Sequence, residues 1–281
     1  MRSFVLITGA TGGLGKAFVV ECASHGWNLL LTDMDAAKLQ ILAGGLRQAY
    51  GVDVLCFPCD LLDSTARLGL FEQLRRYRLH MLINVAGLDY EGAFRDRSRQ
   101  EILSIVRLNI EATLDVTHSM LPLMDPAGTF RIINVASLAA FYPMPVKATY
   151  AASKRFLLDW SLALRNEVRQ MGGTVTALCP AGLATTPECI KSIESQGLMG
   201  QLTTLDIGRV AARTVEAALR GRAIVIPGWL NQALRFLGGL VPAAGVAEFI
   251  GRRWRQTSKK KQFLAIARQP APLGQPASEA G

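Results

Sequence analysis

The sequence predicts an α/β fold: a doubly wound parallel sheet with helices on both faces, in three layers. Short apolar runs alternate with amphipathic stretches of helical length along most of the chain. The runs are continuous in Val, Ile and Leu, the pattern of strands buried on both faces. A glycine-rich turn, Thr8-Gly9-Ala10-Thr11-Gly12-Gly13-Leu14-Gly15, stands between the first run and the first helical stretch.

In order, Phe4–Ile7 reads as a strand and Leu14–Ser24 as the helix after it. Asn28–Leu31 pairs with the helix Ala36–Tyr50, which Asp35 can cap. Val52–Phe57 precedes Ser64–Tyr77, Met81–Asn84 precedes Arg99–Leu121, and Arg131–Val135 precedes Tyr150–Met171. Thr174–Leu178 precedes Asp206–Arg220, and Ala223–Ile226 closes the series. Right-handed crossovers between these strands put helices on both faces. One domain is therefore expected over residues 1–228, with a lid over 187–205. A helical extension follows over 229–264, built on the apolar stretches Leu230–Leu240 and Val246–Trp254. The Pro-, Ala- and Gly-rich residues 265–281 are expected to be a disordered tail.

Composition agrees. A chain of 281 residues, half of them hydrophobic and 19% charged, buries a large core and excludes a disordered protein. Five cysteines, odd in number and in apolar surroundings, predict reduced thiols and a cytoplasmic setting. No secretory signal pattern precedes the first strand, and no uncharged run reaches the roughly 20 apolar residues that span a bilayer. The net charge of +9 is uneven: Arg252, Arg253, Arg255, Lys259, Lys260 and Lys261 lie together without an acid. The run reads as a solvated tail, with contact to an anionic membrane surface as the alternative. No nucleic-acid recognition motif accompanies it.

The glycine turn lets backbone N–H groups and a helix N-terminus meet a pyrophosphate, as in Rossmann-type folds. Thr8, Gly9, Thr11, Gly12, Gly13, Leu14 and Gly15 are the candidate contacts. Asp33 ends the second strand 24 residues after Gly9, near the spacing of a ribose-binding acid. Its carboxylate accepts from ribose hydroxyls and repels an additional phosphate, and Met34 and Asp35 follow it rather than Arg or Lys. The expected cofactor is therefore NAD in preference to NADP.

Tyr150-Ala151-Ala152-Ser153-Lys154 puts a phenol and an amine four residues apart, on one helix face. Ser137 lies thirteen residues before Tyr150, at the end of a strand. Asn84-Val85-Ala86-Gly87 follows the fourth strand, Asn109 lies in the next helix, and Asp60 and Leu61 follow the third strand. In this order the motifs resemble the short-chain dehydrogenase/reductase family over about residues 3–228. The resemblance implies a catalytic set of Tyr150, Lys154, Ser137 and Asn109. Tyr150 would be the general acid in reduction and the base in oxidation. Lys154 and an oxidised nicotinamide would favour its phenolate, and Lys154 would also hold the nicotinamide ribose. Ser137 would bind the substrate oxygen, and Asn109 would anchor a proton-relay water. Asp60, Leu61, Asn84, Ala86, Gly87, Pro180, Gly182, Leu183 and Thr185 would join Tyr150 and Lys154 in holding the cofactor. The long helices around Arg99–Leu121 and Tyr150–Met171 resemble the family's dimer helices, implying a homodimer or homotetramer.

Two departures stand out. Pro180-Ala181-Gly182 replaces the family's Pro-Gly, and Val85 replaces an asparagine. The glycine spacing also fits sugar-nucleotide epimerases and dehydratases, but too little chain follows Gly228 for their substrate domain. A non-catalytic dinucleotide sensor is the other alternative, and such a protein would have lost Ser137, Tyr150 or Lys154. Candidate substrate contacts are Leu88, Tyr90, Leu138, Tyr142, Met144 and Val146, an apolar set that predicts a steroid, bile-acid or fatty-acyl substrate. No metal site is expected: Cys56 and Cys59 have metal-pair spacing but lack two further ligands.

Overall fold

The computed structural model describes residues 2–183, 205–238, 242–252 and 254. Seven parallel strands form one sheet: β1 (Ser3–Thr8), β2 (Asn28–Asp33), β3 (Val54–Pro58), β4 (Arg78–Asn84), β5 (Phe130–Val135), β6 (Gly173–Leu178) and β7 (Ile224–Val225). Their order is β3-β2-β1-β4-β5-β6-β7. The winding reverses between β1 and β4, which run side by side from Ser3↔Arg78 to Thr8↔Asn84. A crevice at the carboxyl ends of two such strands is where this architecture binds ligands.

The helices are α1 (Gly13–Ser24), α2 (Ala36–Tyr50), α3 (Ser64–Leu74), α4 (Arg99–Val106), α5 (Thr113–Met120), α6 (Ala148–Arg169), α7 (Ile207–Leu219) and α8 (Trp229–Gly238). Local chemistry fixes where several begin. Asp35 accepts from the Lys38 N–H at 3.0 Å, Asp63 caps α3, and Ser98 and Glu101 form a reciprocal capping box at α4. Strand alternation divides the core between two faces. Val5, Ile7, Leu29 and Leu31 pack against α1, α2 and α7 through Phe18, Leu39 and Val215. Phe4, Leu6, Leu30 and Leu82 pack against α3, α5 and α6 through Leu74, Met120 and Val168.

The strands and helices match the expected ones in kind and order, and their limits differ. β3 begins at Val54 rather than Val52, and β4 begins at Arg78 rather than Met81. α3 stops at Leu74; a turn from Tyr77 N–H to Leu74 O frees the Tyr77 ring to meet Phe4 and Phe57 edge-on. The single helix expected over Arg99–Leu121 is three pieces, because a π-helical segment, Arg107–Ala112, separates α4 from α5. Asn109 lies inside it, and such bulges re-aim side chains.

In the extension, α8 packs on the short 3₁₀ turn Leu138–Phe141, with the Arg235 guanidinium 4.9 Å from the centre of the Phe141 ring. Residues 243–252 are also helical. Among the described residues, no helix is long and apolar enough to cross a membrane. Thr185, Cys189, nearly all of the expected lid over 187–205, and the tail over 265–281 lie outside the described residues.

Candidate active site

The glycine turn is shaped by two positions. Gly9 has φ 64°, and a Cβ there would lie 2.8 Å from the Ala86 nitrogen. At Gly15 a Cβ would lie 2.0 Å from the Gly9 carbonyl oxygen, which no side chain survives. Gly12 differs: its Cβ would meet only that same oxygen, at an ordinary 3.4 Å. The turn is fastened by three hydrogen bonds. Thr8 Oγ1 accepts from the N–H groups of Val85 and Ala86 at 3.1 and 3.2 Å, and the Thr11 N–H donates to Asp33 Oδ2 at 2.9 Å. Asp33 therefore spends one carboxylate oxygen on the turn at the end of β2. Thr8, Leu61, Asn84 and Ala86 also lie together with Leu108 and Ala112 around one tightly packed spot.

Several expected contacts prove to have structural partners. Asn84 is buried, and its amide donates to Thr117 Oγ1 at 2.9 Å and Asn134 Oδ1 at 2.8 Å. Asn134 passes the chain on to Ser161 Oγ at 2.9 Å, linking β4, β5 and α6. Asp60 is exposed and accepts from the Leu62 N–H at 2.9 Å. Its neighbour Leu61 is held by the buried Arg67, which donates to the Leu61 carbonyl at 2.7 Å and to Glu111 and Asp115 at 2.6 Å each. That ion-pair set ties the β3 turn to the helices beyond β4. Its members are far apart in sequence, so only the fold reveals it.

On the other side of the crevice, α6 carries Tyr150 and Lys154. Lys154 is 4% exposed, and its ammonium donates to the Val135 carbonyl at 2.8 Å. Burial pulls this ammonium down to about 8, against smaller upward pulls from Asp89 and Cys179. The ammonium lies 5.8 Å from the centre of the Tyr150 ring. Gly87 explains how Asn109 and Lys154 come together. A Cβ at Gly87 would lie 3.1 Å from Asn109 Oδ1 and 3.3 Å from Lys154 Nζ.

The Asn109 side chain makes three hydrogen bonds. Its amide donates to the Leu88 carbonyl and to Ser153 Oγ, both at 3.0 Å, and its oxygen accepts from the Leu88 N–H at 2.8 Å. Ser153 sits inside the Tyr-x-x-x-Lys motif but has no role in the sequence reading; the structure makes it the link between Asn109 and α6. Ser137 caps the turn Leu138–Phe141, its oxygen accepting from the Ala139 N–H at 3.1 Å. That leaves the hydroxyl proton to donate elsewhere. The next link is Leu138 N–H to the Pro180 carbonyl at 2.8 Å, which ties the ends of β5 and β6 together. Ala181, Gly182 and Leu183 follow, with Leu183 packed against the α1 side of the core.

Of the substrate candidates, Leu138, Tyr142, Met144 and Val146 lie on the segment between Ser137 and α6, and Leu88 and Tyr90 lie on the loop after β4. The Tyr142 hydroxyl is buried without a hydrogen-bond partner, and burial pushes its pKa up. Cys56 and Cys59 are free thiols raised by burial, Cys59 to about 11, and no metal-binding cluster occurs among the described residues.

A parallel sheet reversing at β1 and β4, with a glycine cradle on one wall and a buried amine beside a phenol on the other, defines a dinucleotide-binding α/β protein. The chain belongs to the short chain dehydrogenase family, whose model matches residues 3–194. It is similar to a very-long-chain 3-oxoacyl-CoA reductase of Laccaria bicolor, 35% identical over 180 residues, covering 63% of this chain and 53% of that protein. A ketoacyl reductase of Nostoc is 27% identical over 215 residues, 75% of each chain. The human inactive hydroxysteroid dehydrogenase-like protein 1 is 31% identical over 188 residues, 65% of this chain and 56% of that one. The chain thus spans about half the length of the very-long-chain reductases it matches. Among solved structures, a short-chain dehydrogenase of Sphingobium yanoikuyae in complex with NADPH superposes with a TM-score of 0.72 at 25% identity, over 98% of this chain and 99% of that one.

Proposed function

We propose that the protein is an NAD(H)-dependent oxidoreductase that interconverts a carbonyl and a secondary alcohol on a fatty-acyl-like substrate. The observation that carries this reading is Lys154: a buried ammonium with three donors, one of them spent on Val135, beside a phenol and a cradle built for a pyrophosphate. Unlike the buried Arg67, which two carboxylates neutralise, this ammonium is held by a neutral backbone carbonyl, and such strongly perturbed groups cluster at functional sites.

The cradle fits a nicotinamide dinucleotide. Gly9, Thr11, Gly12, Gly13, Leu14 and Gly15 would take its pyrophosphate at the α1 N-terminus, and Asp33 would take the adenosine ribose. Leu61 and Ala86 would border the adenine and its ribose and Gly87, beside Lys154, the nicotinamide ribose, with the Asn84 side chain anchoring the start of that segment. The bound dinucleotide supplies or accepts the hydride. Tyr150 gives a proton to the carbonyl oxygen during reduction and takes it back during oxidation. Ser137 donates its free hydroxyl proton to the same oxygen. Lys154 lowers the cost of the phenolate and donates to ribose hydroxyls. Asn109 holds Leu88 and Ser153, and so fixes both walls of the site.

The preference for NAD rests on Asp33, whose second oxygen is left for ribose hydroxyls and whose charge repels an additional phosphate. The acyl substrate rests on the apolar set around Tyr142 and on the names of the very-long-chain reductases. A homodimer through α4 and α6 is supported by exposed Val106 and Phe156. Peripheral membrane contact is supported by exposed Trp229 and Phe236 and by the basic residues from Arg252 to Lys261 that follow them in the sequence.

The test is a rate comparison. Purified protein should oxidise NADH faster than NADPH with 3-oxoacyl thioesters of increasing chain length, and Tyr150→Phe should still bind NADH but lose turnover. Faster NADPH oxidation refutes the cofactor choice. Turnover of small polar ketones alone refutes the substrate class. A second reading, a non-catalytic dinucleotide binder, is favoured by the relative named as inactive. NADH binding without turnover of any carbonyl would establish it.

A further inference from the structure

The approach to α6 is strained. Val146, four residues before Tyr150, has φ 60° and is the one non-glycine residue with positive φ among those described. A β-branched side chain resists that conformation, which persists only where neighbours over-determine it. The Val146 carbonyl accepts from the Gly92 N–H at 2.8 Å. The adjacent Lys147 ammonium pairs with Asp89 at 2.5 Å and Glu91 at 3.6 Å. All three partners lie on the loop after β4, and Asn109 grips that loop at Leu88 through both backbone groups.

Lys147 also lies close to the reacting phenol. Its side chain is 18% exposed, and its ammonium is 5.6 Å from the centre of the Tyr150 ring, within cation–π range. Tyr150 thus has two ammonium groups at its ring, one from Lys154 and one from Lys147. Asp89 pairs with Lys147, and its charge also supports the Lys154 ammonium.

We propose that Lys147 is a positioning residue for Tyr150: with Asp89 and Glu91 it clamps the strained approach to α6, and the clamp sets where the phenol hydroxyl stands relative to Ser137. This rests on the oxidoreductase reading of the same site. Ion pairs of this partly solvated kind add little to global stability, so the clamp acts on geometry and its loss should leave folding nearly intact.

The experiment is a double-mutant cycle on the full chain. Lys147→Gln, Asp89→Asn and the double variant are compared with the parent for kcat, carbonyl KM, NADH affinity and Tm. Lys147→Gln is expected to lower kcat about 10- to 100-fold, the size of a small misplacement of a catalytic group. NADH affinity should stay within about twofold, and the loss at Lys147 should largely vanish in the Asp89→Asn background, the mark of a coupled pair. Lys147→Arg should keep most of the rate. Adding Val146→Gly to Lys147→Gln should recover part of it, because glycine adopts φ near +60° without strain.

An unchanged kcat in Lys147→Gln, additive effects across the cycle, or a parallel fall of kcat, NADH affinity and Tm each overturns the proposal. A parent protein that binds NADH but reduces no carbonyl is a different failure: it strikes the oxidoreductase reading, and the clamp falls with it.

Discussion

Lys154 is the residue on which burial and chemistry pull hardest against each other. Its ammonium titrates at about 8 in the folded protein and near 10.4 in the unfolded chain. Below pH 8 both states hold the proton, and the fold carries the whole penalty, on the order of 3 kcal/mol. Between about pH 8 and 10.4 the unfolded chain binds more protons than the folded one, so this group makes stability rise with pH across that window. Lys154→Met removes a buried charge and one hydrogen bond to Val135. It is expected to gain about 1–2 kcal/mol in urea unfolding at pH 7. It should also lose the rise above pH 8 and all turnover. A Lys154→Met variant less stable than the parent at pH 7 would contradict this account. The residue types of the site were legible because Ser137, Tyr150 and Lys154 stand at recognisable spacings. Val146 was not: nothing in Pro145-Val146-Lys147 announces a left-handed backbone, which is imposed by Gly92 and Lys147 from the tertiary side.

Elements show a similar division between what sequence reveals and what packing decides. The glycine turn was plain, but its glycines are unequal in a way only geometry shows. Gly15→Ala drives a methyl into the Gly9 carbonyl and is expected to lower Tm sharply or prevent folding. Gly12→Ala meets nothing closer than 3.4 Å and should keep the parent Tm while losing NADH affinity, because the obstructed partner is the pyrophosphate. Calorimetry with and without NADH separates the two. The Asn84–Asn134–Ser161 chain makes a second test. Asn134→Ala leaves one N–H of the Asn84 amide without its acceptor, while Thr117 keeps the other and Leu157 keeps the Ser161 hydroxyl, and should cost about 1–3 kcal/mol in urea unfolding. Asn134 could have been suspected, as a polar residue in the otherwise apolar Ile132-Ile133-Asn134-Val135. The π segment could not, because Arg99–Leu121 carries a helical pattern throughout and the bulge arises where Asn109 must reach both Leu88 and Ser153.

At the scale of the molecule, the continuous apolar runs and the alternating elements carried the architecture; runs that are apolar throughout do not say which residue faces which layer, and packing divides the core between two helical layers. The extension was harder to read, since its apolar stretches suit both packing and an interface. The structure shows packing on one side and exposed apolar side chains on the other. One side of α8 meets Leu138–Phe141, while Trp229 and Phe236, seven residues apart and so on one helix face, are 80% and 71% exposed. Vesicles rich in anionic lipid are expected to sediment the protein at low salt and release it at high salt, with Trp229→Ser/Phe236→Ser weakening the association. Equal sedimentation with neutral and anionic vesicles would refute a charge-assisted contact.

The sheet's margins bear on how copies of this chain can meet. At one margin β7 is two residues long, and at the other β3 ends in Pro58, which has no N–H to offer. Neither rim presents a long ladder of open backbone groups, so recruitment of a foreign strand, the usual route to cross-linked aggregates, has little template here. Among the described residues, contacts between copies would therefore rest on helix side chains, where single substitutions can tune them.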